Sequence, residues 1–212
     1  MIYYDHQFGN TRVAVWHVTE DYDELLALLP DADSISNEAS LRFSNDKRML
    51  EWTAVRVLLY TMLEQQVPIH YNEQGAPMLT DFEGLNISIS HTKDFVAVAL
   101  SEKGRPGVDV EQIEHPEDSR DTRIERVRSR FMADDEQADT IIGMLLHWSA
   151  KESVFKTLGE EGIDFRKDFH VEPFDELCYE GQFNLTDMDD HTHIIIYKVF
   201  DDFVLTLTCN EL

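Results

Sequence analysis

Asp109 and Glu111, in the stretch GVDVEQIE (107–114), are carboxylates two positions apart. In an extended chain they share one face while Val108 and Val110 take the other. Side by side they repel, unless a cation or a proton neutralises them. Hard oxygen donors of this kind suit Mg²⁺, which takes one or two carboxylates and completes its shell with water and phosphate oxygens. The same pattern also describes a solvated strand face in an acidic protein. A third carboxylate, Glu152, lies 41 residues beyond Glu111 in HWSAKESVFKTLG (147–159). Ile141, Leu145, Trp148, Glu152 and Phe155 follow helical steps of four and three, so Glu152 sits on an apolar stripe. A carboxylate there must be paired or metal-bound. Lys156, one turn on, can pair with it at the helix edge, which is the plainer reading. Lys151 projects about 100° away toward a different group.

Two further constellations stand out. SISHTKD (88–94) sets Ser88, Ser90, His91 and Thr92 where a strand gives way to a turn. Hydroxyls, an imidazole and free backbone N–H groups can hold a phosphate there, and ordinary turn chemistry uses the same residues. SRDTRIERVRSRF (119–131) carries five arginines, from Arg120 to Arg130. On a helix Arg123, Arg126 and Arg130 share one face and Ile124, Val127 and Phe131 another. Such a strip either neutralises neighbouring acids or docks an acidic partner.

These groups need a folded frame, and the chain is long enough to build one. With 42% apolar residues, its 212 positions make one large domain or two small lobes. Eighteen basic against forty-two acidic residues give −24, which excludes general binding to nucleic acid or anionic membrane. Self-repulsion favours a monomer. There is no apolar run long enough to span a membrane, and MIYYDHQFGN lacks secretory-signal features. Cys178 and Cys209 lack metal spacing and read as reduced thiols of a cytoplasmic protein.

The pattern predicts a strand over 12–19, a short helix in EDYDELLALLP, and a long helix centred on DKRMLEWTAVRVLLYTMLEQ. NISIS and FVAVALS form a hairpin, VDVEQI a further strand, a second long helix runs from about 135 to 158, and HIIIYKVF and FVLTLTC close the chain as a hairpin. DFVAVAL (94–100) and DFVLTLT (202–208) echo each other, each ending a segment with a long helix followed by a hairpin. A chance β-pattern or a duplicated lobe accounts for the echo; two lobes would leave a cleft between them.

Taken in order, these motifs resemble the 4′-phosphopantetheinyl transferases of the long, two-lobed Sfp type. GVDVEQIE and WSAKESVFKTLG are similar to that family's G-[IV]-D-[IV]-E and W-[ST]-x-K-E-[AS]-x-x-K-x-x-G patterns. RFMADDE is similar to its Phe-x-x-x-Glu stretch, NISISHT to its Ser-His strand end, KRMLEWTAVRVLL to its arginine-bearing helix, and QGAPML to its Gly-x-Pro turn. The likeness runs from about 42 to 159.

The resemblance implies an α+β fold of two similar lobes (1–106 and 107–212) related by a pseudo-two-fold. Each would have a long helix packed on a small antiparallel sheet, with coenzyme A in the cleft between them. The implied reaction transfers 4′-phosphopantetheine to a serine of an apo acyl, polyketide or peptidyl carrier protein and releases adenosine 3′,5′-bisphosphate. It implies that Asp109, Glu111 and Glu152 hold Mg²⁺ or Mn²⁺. Glu152, or a metal-bound water beside it, takes the serine proton, and Lys156 and Lys151 neutralise phosphates. Ser90, His91, Arg48 and Arg56 contact coenzyme A, and Arg123, Arg126 and Arg130 lie in the carrier-docking region. The family's turn carries lysine where Ala76 stands here. A catalytically reduced protein of this fold that binds coenzyme A or the carrier is the alternative.

Overall fold

A computed structural model describes residues 1–114 and 123–209. The elements in order are β1 (Ile2–Phe8), β2 (Thr11–His17), α1 (Tyr22–Leu26), α2 (Ala32–Arg42), α3 (Asp46–Leu63), β3 (His70–Tyr71), β4 (Pro77–Met78), β5 (Asn86–Thr92), β6 (Phe95–Ser101) and β7 (Pro106–Gln112). Then come α4 (Arg123–Val127) with a 3-10 turn over Arg128–Arg130, α5 (Ile141–Leu158), β8 (Phe169–Val171), β9 (Glu180–Asp187), β10 (Thr192–Val199) and β11 (Phe203–Cys209). The result is a mixed α/β structure with antiparallel sheets: β1-β2-β6-β5, β7-β11-β10-β9-β8, and the small pair β3-β4.

The period of two along the central strands fixes the layers. On β2 and β6, Ala14, Trp16, Val96, Val98 and Leu100 pack against α3, whose Ala54, Val57 and Leu58 are buried. Their alternate neighbours Val13, Val15, Phe95, Ala97 and Ala99 meet Val108, Val110, Phe203, Leu205 and Leu207 of the other sheet. Strands covered on both faces read as near-continuous apolar runs, hence FVAVALS and FVLTLTC, whose residues are all buried. The sequence echo thus marks one inner strand in each sheet.

The sheets are joined along β5 and β7 by side chains. Val108 N–H donates to Ser88 Oγ (3.1 Å), Val110 N–H to Ser90 Oγ (3.3 Å) and Gln112 N–H to Thr92 Oγ1 (3.2 Å). Hydroxyls on every second residue of β5 thereby satisfy the edge of β7, which an unpaired buried strand could not leave open.

The second long helix starts later than its apolar pattern suggests, at Ile141 rather than near 135. Thr140 caps it by accepting from Gly143 N–H, and the Glu176 carboxylate takes the Asp139 and Thr140 N–H groups. Residues just before it are drawn elsewhere by buried Glu136. β1 escapes the pattern because none of its residues is buried, and β9 because only its second half alternates buried with half-buried positions. The arginine-rich helix is also interrupted: α4 ends at Val127 and tightens into a 3-10 turn, so Arg123, Arg126 and Arg130 do not form one α-helical face. Arg120 lies outside the described residues.

Candidate active site

β7 and α5 build the core of the site. Val108 and Val110 are fixed in the core between the sheets, so Asp109 and Glu111 turn to the side on which α5 lies. Gly107 lets the helix come close. A Cβ there would stand 1.9 Å from the Ser153 carbonyl oxygen and 2.9 Å from Thr157 Cγ2. On the same side, Ser149 and Ser153 hydroxyls bond Thr206 of β11, the cross-strand neighbour of Asp109.

Asp109 is 5% exposed. Its Oδ1 accepts from Ser90 Oγ (2.8 Å) and Lys156 Nζ (2.8 Å), while Oδ2 is buried without a hydrogen-bond partner. Lys156 also donates to the Val108 carbonyl at 2.8 Å. The helical spacing suggested a Glu152–Lys156 pair, but the lysine's ion pair is with Asp109 across the helix–strand contact. Glu111 accepts from Trp148 Nε1 at 2.7 Å, so that indole does more than anchor the helix. Burial, then the charge of Asp109, raises the Glu111 carboxyl above its usual range. Burial also raises Glu152, to about 7, with Asp109 and Glu111 adding to it and Lys156 opposing.

Among the described residues, no group of three or more His, Cys, Asp or Glu can by itself hold a metal ion. The donor chemistry nevertheless fits a hard cation that keeps water and phosphate ligands. Asp109 Oδ2 is orphaned, and one lysine stands among three carboxylates whose mutual repulsion is visible in Glu111 and Glu152.

Two cavities take in members of this cluster, and a third lies by α3 and the end of β5. One of about 920 Å³ is lined by Glu111, Trp148, Lys47, Lys93, Arg123 and Arg130, among others. Another of about 680 Å³ holds Lys156 and Phe155 opposite Ala76, Pro77 and Ile87. A third of about 280 Å³ gathers Arg48, Arg56 and His91. Arg48 and His91 are exposed there, His91 with Nδ1 3.8 Å from Glu51. Arg56 is a buried wall: it donates to the Trp52 carbonyl, its guanidinium lies 3.1 Å from the Trp52 ring centroid, and burial lowers its pKa to about 10.

Two expected phosphate ligands are committed elsewhere. Ser90 spends its hydroxyl on Val110 N–H and Asp109, so it positions a carboxylate. Lys151 is 0% exposed and donates to Glu136 and to the Phe131 and Phe165 carbonyls, so its amine does not reach a ligand in the cleft. The 100° separation from Glu152 along the helix accounts for this. Glu136 in turn accepts from Val171 and Ala133 N–H, tying the segment before α5 to β8. Arg126 is not among the residues lining the 920 Å³ cavity, unlike Arg123 and Arg130.

The buried pair gives a first prediction. Lys151→Met, which strands Glu136, is expected to cost about 3–5 kcal/mol, and Lys151→Met with Glu136→Gln to recover a large part of that. Urea unfolding checks this; a single variant as stable as wild type would show the pair to be idle.

The family model described as 4′-phosphopantetheinyl transferase superfamily matches residues 105–208, which contain β7, α5 and all three carboxylates. The match takes in 104 of the 212 residues, just under half of the chain. Among individual relatives, the 4′-phosphopantetheinyl transferase AcpT of Salmonella typhimurium is 30% identical over 116 residues, 53% of this chain and 60% of that protein. The AcpT proteins of Salmonella typhi and Escherichia coli K12 are each 38% identical over 66 residues, 31% of this chain and 34% of theirs. The chain thus spans 60% of the length of the first of these relatives and about a third of the other two. The superfamily match begins at the strand carrying Asp109 and Glu111 and takes in the Arg123–Arg130 segment.

Proposed function

We propose that this protein is a 4′-phosphopantetheinyl transferase that moves the phosphopantetheine arm of coenzyme A to a serine of an apo carrier protein. The observation that carries the reading is the grouping of Asp109, Glu111, Glu152 and Lys156 between β7 and α5, in the segment that the superfamily model matches. A serine hydroxyl needs a base in reach, and a carboxyl titrating near neutrality accepts a proton and releases it again.

In this reading the serine oxygen attacks the phosphorus that bears the pantetheine arm. The bond from that phosphorus to the bridging oxygen breaks, and adenosine 3′,5′-bisphosphate leaves with that oxygen. Glu152 takes the serine proton. Lys156, fixed by Asp109 and the Val108 carbonyl, faces the cavity on the Ala76 side and donates to the departing phosphate. Asp109, Glu111 and Glu152 would hold Mg²⁺ or Mn²⁺, which would neutralise the pyrophosphate and the charge growing on the leaving group. Arg48, with Arg56 behind it, offers positive charge and His91 a ring nitrogen for the phosphate at the nucleotide end. Arg123 and Arg130 stand where an acidic carrier would approach, and Arg126 extends their segment.

The reading also takes the halves 1–106 and 107–212 as similar lobes related by a pseudo-two-fold, acting as a cytoplasmic monomer. The sheet division supports it, since β7 ladders with β11 and joins β5 through hydroxyls. Among the described residues, no helix is long and apolar enough to cross a membrane.

Incubation with coenzyme A, Mg²⁺ and candidate apo carriers, read by intact mass, tests the function. A mass gain of one phosphopantetheine that vanishes on chelation is expected. Ala76 on the cavity wall, where the family has lysine, favours a second reading as a binding protein. Tight coenzyme A binding without any holo product would select it.

A further inference from the structure

The cavity of about 680 Å³ beside Lys156 is lined by a second cation, Arg105. Arg105 lies in GRPG (104–107), the turn that leads from β6 into β7. Gly104 takes φ 67°, and a residue followed by proline is confined to extended backbone, so both neighbours fix the direction in which Arg105 leaves the chain. Its side chain reaches the end of α5. A Cβ on Gly159, the C-cap at φ 67°, would clash with Arg105 Nη1. Gly159 therefore serves twice. It takes the left-handed conformation that ends the helix, and it leaves the space in which the guanidinium sits.

Arg105 is exposed and has no hydrogen-bond or ion-pair partner among the described residues. That holds although Glu160 and Glu161 follow Gly159 directly and line the same cavity, as does Glu83. Arg105 and Lys156 are the only Lys or Arg among the residues that line it. Pro77, Phe82, Leu85 and Phe155, none of them fully buried, add apolar surface. Apolar walls with two cations suit a ligand that joins a flat apolar body to phosphate. The Ala76 turn contributes no amine to it.

We propose that Arg105 is a phosphate ligand of coenzyme A, seated on the glycine end of α5 so that it and Lys156 hold the nucleotide from one wall of the cavity. This rests on the transferase reading and adds a residue outside the carboxylate cluster to substrate selection. A −24 chain repels an anionic nucleotide at long range, so capture requires cations that are free locally. Arg105 breaks no ion pair when it takes a ligand, and its planar fork matches two phosphate oxygens at once. The 3′-phosphate and the pyrophosphate offer the same chemistry, and dephospho-coenzyme A, which lacks the former, separates them.

The test compares wild type, Arg105→Gln and Gly159→Asn. Calorimetry reads Kd for coenzyme A and for dephospho-coenzyme A, intact mass reads transfer, and melting temperature reads stability. Arg105→Gln is expected to raise Kd and KM for coenzyme A about 5–20-fold, with KM for the carrier unchanged. Asparagine tolerates the left-handed cap but carries the Cβ that pushes the guanidinium aside. Gly159→Asn is therefore expected to fold and to lose coenzyme A affinity in the same direction. A loss confined to coenzyme A assigns Arg105 to the 3′-phosphate; an equal loss with dephospho-coenzyme A assigns it to the pyrophosphate. Unchanged Kd values in Arg105→Gln overturn the proposal, and a lowered melting temperature beside them would make Arg105 a mere cap on the α5 dipole. Wild-type affinity in Gly159→Asn overturns the seat on Gly159. Wild type that binds no coenzyme A overturns the transferase reading and this site together. Weakened coenzyme A binding in Arg105→Gln, with no carrier modified even by wild type, overturns the transferase reading alone.

Discussion

Glu152→Gln is expected to slow transfer by about 10²–10⁴-fold while making the ligand-free protein more stable above pH 7. The two effects share a cause. The carboxyl titrates near 4.5 when unfolded and near 7 when folded, because burial and then Asp109 disfavour its charge. Between those values the folded chain holds a proton that the unfolded chain has lost. Stability therefore falls as pH rises from about 4.5 to 7, and the full penalty is present above that window. Glutamine removes the charge and the penalty. A gain of about 1–3 kcal/mol at pH 8 follows, below the full shift because the side chain keeps some solvent access, and it should disappear near pH 4. Mg²⁺ at pH 8 should raise the melting temperature of wild type more than that of the variant. A variant equally fast would remove Glu152 from the proposed base role. A variant no more stable at pH 8 than at pH 4, relative to wild type, would contradict the crowding of negative charge.

Gly107→Ala is expected to damage both stability and turnover although it adds one methyl group remote from any reacting atom. Its new Cβ meets backbone, the Ser153 carbonyl at 1.9 Å, so no side-chain rotation relieves it. Either β7 or α5 must shift, which separates Glu152 from Asp109 and stretches the Lys156–Asp109 contact of 2.8 Å. Overpacking of this kind costs about 1–3 kcal/mol, and more when the clash is with backbone. Misplacing a base by about 1 Å can cost a further 10²-fold in rate. Denaturant unfolding and intact-mass kinetics measure the two. Wild-type behaviour in both would mean that α5 does not seat on β7 as described.

Much of the site was legible because its parts are local patterns. The alternation in GVDVEQIE put Asp109 and Glu111 on one face, and the helical steps from Ile141 to Phe155 put Glu152 with Trp148. The choice of partner was not legible. Spacing along one helix favoured Glu152 for Lys156, yet the amine meets Asp109, brought near by the close approach at Gly107. Lys151 looked like a phosphate ligand, and only the packing of Glu136, Phe131 and Phe165 around it shows otherwise. Trp148 read as an apolar anchor because its N–H acceptor, Glu111, is 37 residues away. Lys47 and Lys93 carry no pattern at all, yet α3 and a hairpin turn bring them to the same cavity as α4.

By itself the sequence determined which residues alternate, which recur at helical spacing, and how much negative charge must be managed. Those properties belong to neighbours along the chain, where backbone geometry leaves few choices. The tertiary structure alone decided which carboxylate receives the lysine, which hydroxyls close the edge of β7, and which cations share a cavity. Each depends on the distance between elements far apart in sequence, which packing fixes to within a fraction of an ångström and which no local period encodes.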